Sequence, residues 1–322
     1  MTIAPVKSRK KLGLALGSGA ARGWAHIGVL QGLDELGVKP DVIAGCSVGA
    51  LVGGAYLTGG LSAFETWARE LSPISAISSF SVSPGPGGLV DGKAAFSAFE
   101  EFDQLIQALP VKFGAVATDL GDGKEVWITE GYVIDALRAS SAIPVLFHAV
   151  EREGRWLIDG AVSNPVPVSL ARALGADIVI AVDLTAVPKV LERFDPPPPS
   201  VPAVIENDAG VSEPNLTEAL VRLIGETRKW VDQQLTLARV RQMATPQLFE
   251  TAYAAADIFQ KHLSTARLAI DKPEIMLTPD MRNATPTSFD RADDFIEEGR
   301  KALLGKKEEI LRALEINDPP TI

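Results

Sequence analysis

The chain of 322 residues is long enough to bury a core without disulfide or metal, and its 46% hydrophobic and 22% charged residues are ordinary for a globular protein. A net charge of −10 argues against nucleic acid as the main partner, because phosphate recognition needs a basic surface, and it makes electrostatic docking on anionic lipid weak. The single cysteine, Cys46, excludes an intramolecular disulfide and a Cys-based zinc cluster, and the scarcity of histidine (His26, His148 and His262) argues against a multi-histidine metal site.

Residues 1–10, with Lys7, Arg9 and Lys10, read as a flexible N-terminus without the length or cleavage site of a signal peptide. No uninterrupted apolar run reaches the ~18 residues of a membrane span, so the expected location is the cytoplasm, with peripheral contact to membranes compatible with it. Residues 12–16 (LGLAL) predict a buried strand, and helical spacing follows from Trp24 to Leu36, closed by Gly37. Residues 41–44 (DVIA) predict a second strand, followed by a small-residue helix over 48–57. This β-α-β-α opening implies a parallel sheet with helices on its faces.

Further helices are predicted over 61–71, 93–109 and 131–140, with a Gly- and Pro-rich loop at 81–92. Strands are predicted at 111–118, 125–129 and 155–159, and a central strand, apolar on both faces, at 177–184. Residues 185–214 include the run PPPPSVP and read as a loop or lid excursion. After it, the apolar spacing predicts helices over 216–242, 246–264, 289–304 and 307–314, with a last strand at 274–278.

Two glycine-edged turns carry the chemistry. Residues 45–49 (GCSVG) form G-x-S-x-G between a strand and a helix, the setting of a nucleophile elbow, with Gly45 and Gly49 leaving room for a sharp turn and Ser47 at the tip. An idle serine in a glycine-rich turn is the plain alternative. Residues 17–23 (GSGAARG) also join strand to helix, and amides in such a loop can bind an anion. A nucleotide phosphate loop ranks last, because the G-K-[ST] ending is missing and the second strand leads to Ser47 rather than to a ribose-binding acid. An oxyanion hole explains both turns together. Arg22 is a candidate substrate contact at the rim, or else a salt-bridge residue.

The base is open on the residues alone. A histidine triad would call on His148 or His262, since His26 lies within the first helix. Asp159, ending a strand at the Asp-Gly pair 159–160, is the other candidate; its plain alternative is an ordinary turn. A buried carboxylate can take a serine proton directly. Asn164 reads as a capping residue, or else as one that orients the loop carrying Asp159; Asp119 is a candidate for shaping the site or for capping a turn, and Cys46 is expected to pack below the turn.

The stretches 12–30, 41–56, 113–120, 137–147, 156–184 and 288–302 resemble the patatin-like phospholipases, and within them the bacterial RssA-type subgroup. The resemblance implies a three-layer α/β/α fold with a mostly parallel sheet, as one domain over 11–315 with 316–322 as a tail. It implies a Ser47–Asp159 dyad without histidine, acting on (lyso)phospholipids or related acyl esters, with no metal and no cofactor needed. It also implies an oxyanion hole of Gly17, Ser18, Gly19 and Val48, with Ser18 departing from the glycine usual there. The partner is then a lipid or acyl-ester substrate. Transient membrane contact and homo-oligomerisation are compatible with the sequence. The alternatives are a histidine-triad esterase and a non-catalytic regulator that keeps the fold.

Overall fold

Apolar residues at alternate positions of the first strand divide between two hydrophobic layers, and this alternation sets the architecture. In the computed structural model, which describes residues 9–71, 82–91, 96–185, 248–281, 284–285 and 287–316, strand β1 (Leu12–Leu16) sends Leu12, Leu14 and Leu16 into one layer and Ala15 into the other. Strands β1, β2 (Val42–Cys46), β5 (Lys112–Asp119), β10 (Ile178–Val182) and β11 (Ile275–Leu277) run parallel in the order β11-β10-β1-β2-β5. Three antiparallel strands complete an eight-stranded sheet: β6 (Glu125–Ile128) and β9 (Arg155–Asp159) on β5, and β8 (Val150–Arg152) on β9.

Helices cover both faces. On one lie α1 (Ala25–Glu35), α2 (Val48–Leu57), α3 (Leu61–Glu70), α4 (Val133–Ser140), α7 (Ala292–Leu304) and α8 (Lys307–Ala313), through side chains such as Ile27, Val52, Phe64, Ala136, Phe295 and Ile310. On the other lies α5 (Val168–Ala173), with Val168 and Leu170 against Val42 and Val116. The expected three-layer α/β/α fold is thus the observed one, with the antiparallel strands confined to one end of the sheet.

The chain packs as two compact units, residues 1–187 with 257–322, and residues 188–256. Of the second, the described part is 248–256, the first turns of helix α6 (Leu248–Ile270); the rest of that helix belongs to the first unit. The helix expected over 216–242 and, beyond Thr185, the excursion 185–214 lie outside the described residues. Among the described residues no helix is long and apolar enough to cross a membrane.

Two local expectations are corrected. The loop expected at 81–92 contains a hairpin, β3 (Val82–Gly85) and β4 (Gly88–Val90), turning at Gly87 with φ 75°. Strand β4 pairs with β7 (Val145–Phe147), which lies far away in sequence, so Pro84, Pro86 and the glycines hide a strand that a distant partner creates. The helix expected over 93–109 is, from Ser97 onward, two short 3₁₀ turns, Ser97–Phe102 and Ile106–Ala108. Between them the chain is held extended: Val133 N–H donates to Gln104 O (2.9 Å) and Ile106 N–H to Gly131 O (2.8 Å). Tertiary pairing overrides helical spacing there.

Candidate active site

Ser47 lies between β2 and α2 with φ 54° and ψ −123°, a left-handed backbone that a residue with a side chain adopts at a cost of roughly 1–3 kcal/mol. The flanking glycines let the chain turn back on itself. A Cβ at Gly45 would lie 2.4 Å from Ala50 Cα, and one at Gly49 would lie 2.1 Å from Leu16 O. The Ser47 carbonyl accepts from Ala50 N–H (2.9 Å) and Leu51 N–H (3.1 Å), so its hydroxyl stands at the N-terminal end of α2. The peptide dipoles there favour developing negative charge.

The last rung of the β2–β5 ladder is split. By the parallel register, Cys46 faces Val116, and the next rung would join Ser47 N–H to Val116 O. Instead the hydroxyl of Ser140, from the end of α4, accepts from Ser47 N–H (2.9 Å) and donates to Val116 O (2.6 Å). Ser140 is wholly buried. Replacing it by alanine strands a buried N–H and a buried C=O, each worth about 1–3 kcal/mol. Ser140→Ala is expected to lower stability by about 2–4 kcal/mol and to slow turnover about tenfold by loosening the elbow, read from urea unfolding and kcat.

Asp159 arrives from an unexpected direction. It ends β9, which runs antiparallel to β5, with Ala117 opposite Asp159. Asp119 N–H of β5 points to β6 (Lys124 O, 2.9 Å) and Leu120 N–H to β9 (Trp156 O, 2.8 Å). Strand β9 therefore continues the edge of β5 that β2 occupies lower down, where Lys112 N–H reaches Asp41 O. Asp159 is delivered directly beyond the end of β2, beside Ser47. The sequence argument places Asp159 at a parallel strand end, whereas the strand that carries it is antiparallel. The chain then crosses so close over β5 that a Cβ at Gly160 would lie 2.2 Å from Val116 O, which is why glycine follows the aspartate.

The two side chains meet. Ser47 Oγ donates to Asp159 Oδ2 at 2.6 Å, while Asp159 Oδ1 accepts from Ala161 N–H at 2.8 Å and so caps the 3₁₀ turn Gly160–Val162. Both residues are buried. Burial pushes the Asp159 carboxyl from the ordinary 3.8 up to about 6, against the lowering effect of its bonds from Ser47 and Ala161. Thr118 Oγ1 donates to the Asp159 carbonyl (2.9 Å), and Asp159 N–H to Ala142 O (2.9 Å), so the strand end is fixed on both sides.

The glycine loop lies against the elbow: the Cβ position of Gly49 is also only 2.7 Å from Gly17 O. Two of its expected anion donors are already committed, Gly17 N–H to Val182 O (3.1 Å) and Ser18 N–H to Pro165 O (2.9 Å). Among the described residues, the amides of Gly19 and Val48 from the expected set make no such bond, and neither does that of Ala20. Arg22 is not at the rim. Its side chain is 2% exposed and forks onto Asp257 (3.1 and 2.7 Å), with Nε donating to Gly19 O (3.1 Å). The reading of Arg22 as a substrate contact gives way to a buried ion pair that holds the loop.

The histidines lie elsewhere. His26 is fully buried, donates through Nε2 to Gly17 O (2.7 Å), and is pulled down to about 4 by burial, so it is neutral at pH 7. The ring of His148 lies against Gly85, and His262 is exposed on α6. Among the described residues no histidine ring bonds to Ser47 or Asp159. Cys46 packs buried beneath the turn, its thiol raised well above the ordinary range by burial and the nearby Asp159. Asn164 bridges Ser169 Oγ (3.1 Å) and Glu125 (3.4 Å) and so ties the turn after Asp159 to β6, whereas Asp119 Oδ1 caps its own turn at Gly121 N–H (2.8 Å). Among the described residues no cluster of metal-ligating side chains is found.

Sequence reasoning missed Ser140 and the polar stripe of α6. Asp257, Gln260, Ser264 and Arg267 recur every three or four residues, so they share a helix face, and that spacing was the available signal. Gln260 accepts from Ser18 Oγ (2.8 Å), Ser264 Oγ donates to Asp183 (3.3 Å), and Arg267 donates to Ser163 O (3.2 Å) and pairs with Glu125.

Residues 14–172, which hold the elbow, the glycine loop and Asp159, match the family described as patatin-like phospholipase. This segment of the chain is similar to the patatin-like phospholipases. An uncharacterised NTE family protein of Mycobacterium tuberculosis is 40% identical to it over 179 residues, 55% of this chain and 50% of that protein. A lysophospholipase of Emericella nidulans is 28% identical over 184 residues, 55% of this chain and 12% of the fungal one. A lysophospholipase of Saccharomyces cerevisiae is 28% identical over 192 residues, 57% of this chain and 11% of that one. The chain thus spans half the length of the mycobacterial relative and a small part of the fungal ones. The unit-1 portion of α6, with Asp257 and Gln260, lies outside the matched patatin-like segment.

Proposed function

We propose that the protein is a serine lipid acyl hydrolase that cleaves carboxylic esters of lysophospholipids or related acyl esters through a Ser47–Asp159 dyad. The observation that carries this reading is the 2.6 Å hydrogen bond from the Ser47 hydroxyl to a buried carboxylate. A carboxylate raised to about 6 is still mostly ionised at neutral pH, yet basic enough to assist a serine proton transfer.

In the reaction, Ser47 Oγ attacks the acyl carbonyl carbon while its proton passes to Asp159 Oδ2. The oxyanion is met by the amides of Gly19, Ala20 and Val48. Collapse expels the alcohol portion of the lipid, which takes the proton back from Asp159. Water then attacks the acyl-serine, gives its proton to Asp159, and the fatty acid leaves as Ser47 regains a hydrogen. The lipid choice draws on the domain's family and on the relatives named lysophospholipase. The RssA-type placement draws on the sequence stretches alone.

An activity profile over p-nitrophenyl esters, lysophospholipids and diacyl phospholipids tests the reading, run beside fluorophosphonate labelling. Turnover of acyl esters with a single adduct on Ser47 is expected. A well-folded protein that neither turns over any ester nor takes up the probe is a non-catalytic relative, and the proposal then fails.

A further inference from the structure

The glycine loop packed beside the elbow is held from outside the matched patatin-like segment. Gly19 O accepts both Arg22 N–H (3.2 Å) and Arg22 Nε–H (3.1 Å). Two donors on one carbonyl fix the plane of the Gly19–Ala20 peptide and turn the Ala20 N–H to the opposite side. Ala20 itself has φ 50°, a left-handed conformation that persists only where surrounding contacts impose it. Arg22 can impose it because both its Nη atoms are bound by Asp257, leaving the guanidinium no freedom to swing toward solvent or substrate. One turn along the same helix, Gln260 holds Ser18.

We propose that Asp257 is a positioning residue for the ester hydrolysis: through Arg22 it clamps the Gly19–Ala20 peptide so that the Ala20 N–H, opposite the clamped carbonyl, faces the carbonyl attacked by Ser47. This rests on the hydrolase reading above. The clamp acts on the transition state, where charge develops on that oxygen, and not on ground-state binding. Its loss therefore lowers kcat and leaves KM nearly unchanged. Gln260 supports the same loop at Ser18, whose own N–H is spent on Pro165, so its loss matters less.

The test compares full-length wild type, Asp257→Asn, Asp257→Glu, and the double variant Arg22→Met/Asp257→Leu on p-nitrophenyl butyrate. Thermal midpoints and amide hydrogen exchange of the 17–23 segment are measured alongside. Asp257→Asn is expected to lose about 100-fold in kcat, with KM within threefold, and to exchange faster at 17–23, because losing one oxyanion donor costs about 10²–10³. Asp257→Glu recovers part of that loss. The double variant covers the case in which Asp257→Asn is too unstable to assay, because removing both charges together spares the fold an unpaired buried guanidinium. It is expected to fold with a midpoint at or above that of Asp257→Asn and still be about 100-fold slow. A double variant that regains both the wild-type midpoint and wild-type kcat makes the pair merely structural and overturns the proposal, as does wild-type kcat in Asp257→Asn. Wild type without turnover, but with 17–23 exchange that rises in Asp257→Asn, sinks the hydrolase reading and leaves the clamp standing. Exchange at 17–23 that does not change sinks the clamp.

Discussion

Ser47→Ala is expected to reduce ester turnover about a millionfold, to the background left by binding and the amide cradle, because removing a nucleophile abolishes the acyl-enzyme route as a unit. Fluorophosphonate labelling should vanish with it. The fold should survive, since the elbow is imposed by Gly45, Gly49 and Ser140 and not by the hydroxyl. Stability separates the alternatives further. Alanine keeps the strain of φ 54°, whereas Ser47→Gly removes it, so the glycine variant should be equally inactive yet more stable than Ser47→Ala by about 1 kcal/mol. A second consequence concerns Asp159. The Ser47 hydrogen bond lowers the affinity of the carboxyl for its proton, so without the hydroxyl it should titrate higher still, above about 6. Carboxyl chemical shifts in the two proteins report that difference.

Asp159→Asn is expected to lower kcat/KM by about 10²–10⁴ at neutral pH while raising stability, an opposition that an ordinary turn aspartate would not show. The sign follows from the titration. The folded carboxyl holds its proton up to about 6, against 3.8 in an unconstrained chain. Its contribution to stability is fully present below pH 3.8 and is lost as the pH rises through about 6. A gap of that size corresponds to about 3 kcal/mol, set against the folded state at pH 7 when the buried group is ionised. Asparagine cannot ionise, keeps an oxygen for Ala161 N–H, and retains much of the shape. Urea unfolding at pH 7 should therefore show Asp159→Asn more stable than wild type by up to about 3 kcal/mol, and the difference should shrink toward pH 4. The same titration gives wild-type kcat/KM an acid limb with an apparent midpoint near 6 that no substitution at His148 or His262 moves.

The site was legible where the chemistry is local and obscure where it depends on long-range pairing. G-x-S-x-G announces itself because its glycines are demanded by backbone contacts within five residues of Ser47 and with the neighbouring strand. The Asp-Gly pair was readable for a related reason: the aspartate caps its own turn, and the glycine clears the Val116 carbonyl. What brings the two residues together is the way β9 takes over the edge of β5 beyond β2, and no local pattern encodes that. Ser140 and Asp257 were passed over because each is an ordinary polar residue until the fold sets it against Ser47 N–H or the Arg22 guanidinium. For Arg22 the sequence leaves a rim contact and a salt bridge open, because a lone arginine in a glycine loop does not disclose a partner 235 residues away. The hairpin at Val82–Val90 and the broken segment after Ser97 show the same limit in the scaffold.

The most direct measurement is the second-order rate at which a fluorophosphonate modifies Ser47 in wild type and in Asp159→Asn, at pH 5 to 8, with both proteins shown folded by their unfolding midpoints. Wild type should be labelled at position 47 at a rate that climbs through about pH 6, and the asparagine variant should be at least 100-fold slower throughout. Equal rates in the two proteins would contradict the Ser47–Asp159 pairing as the source of the nucleophile, whatever the distance between them.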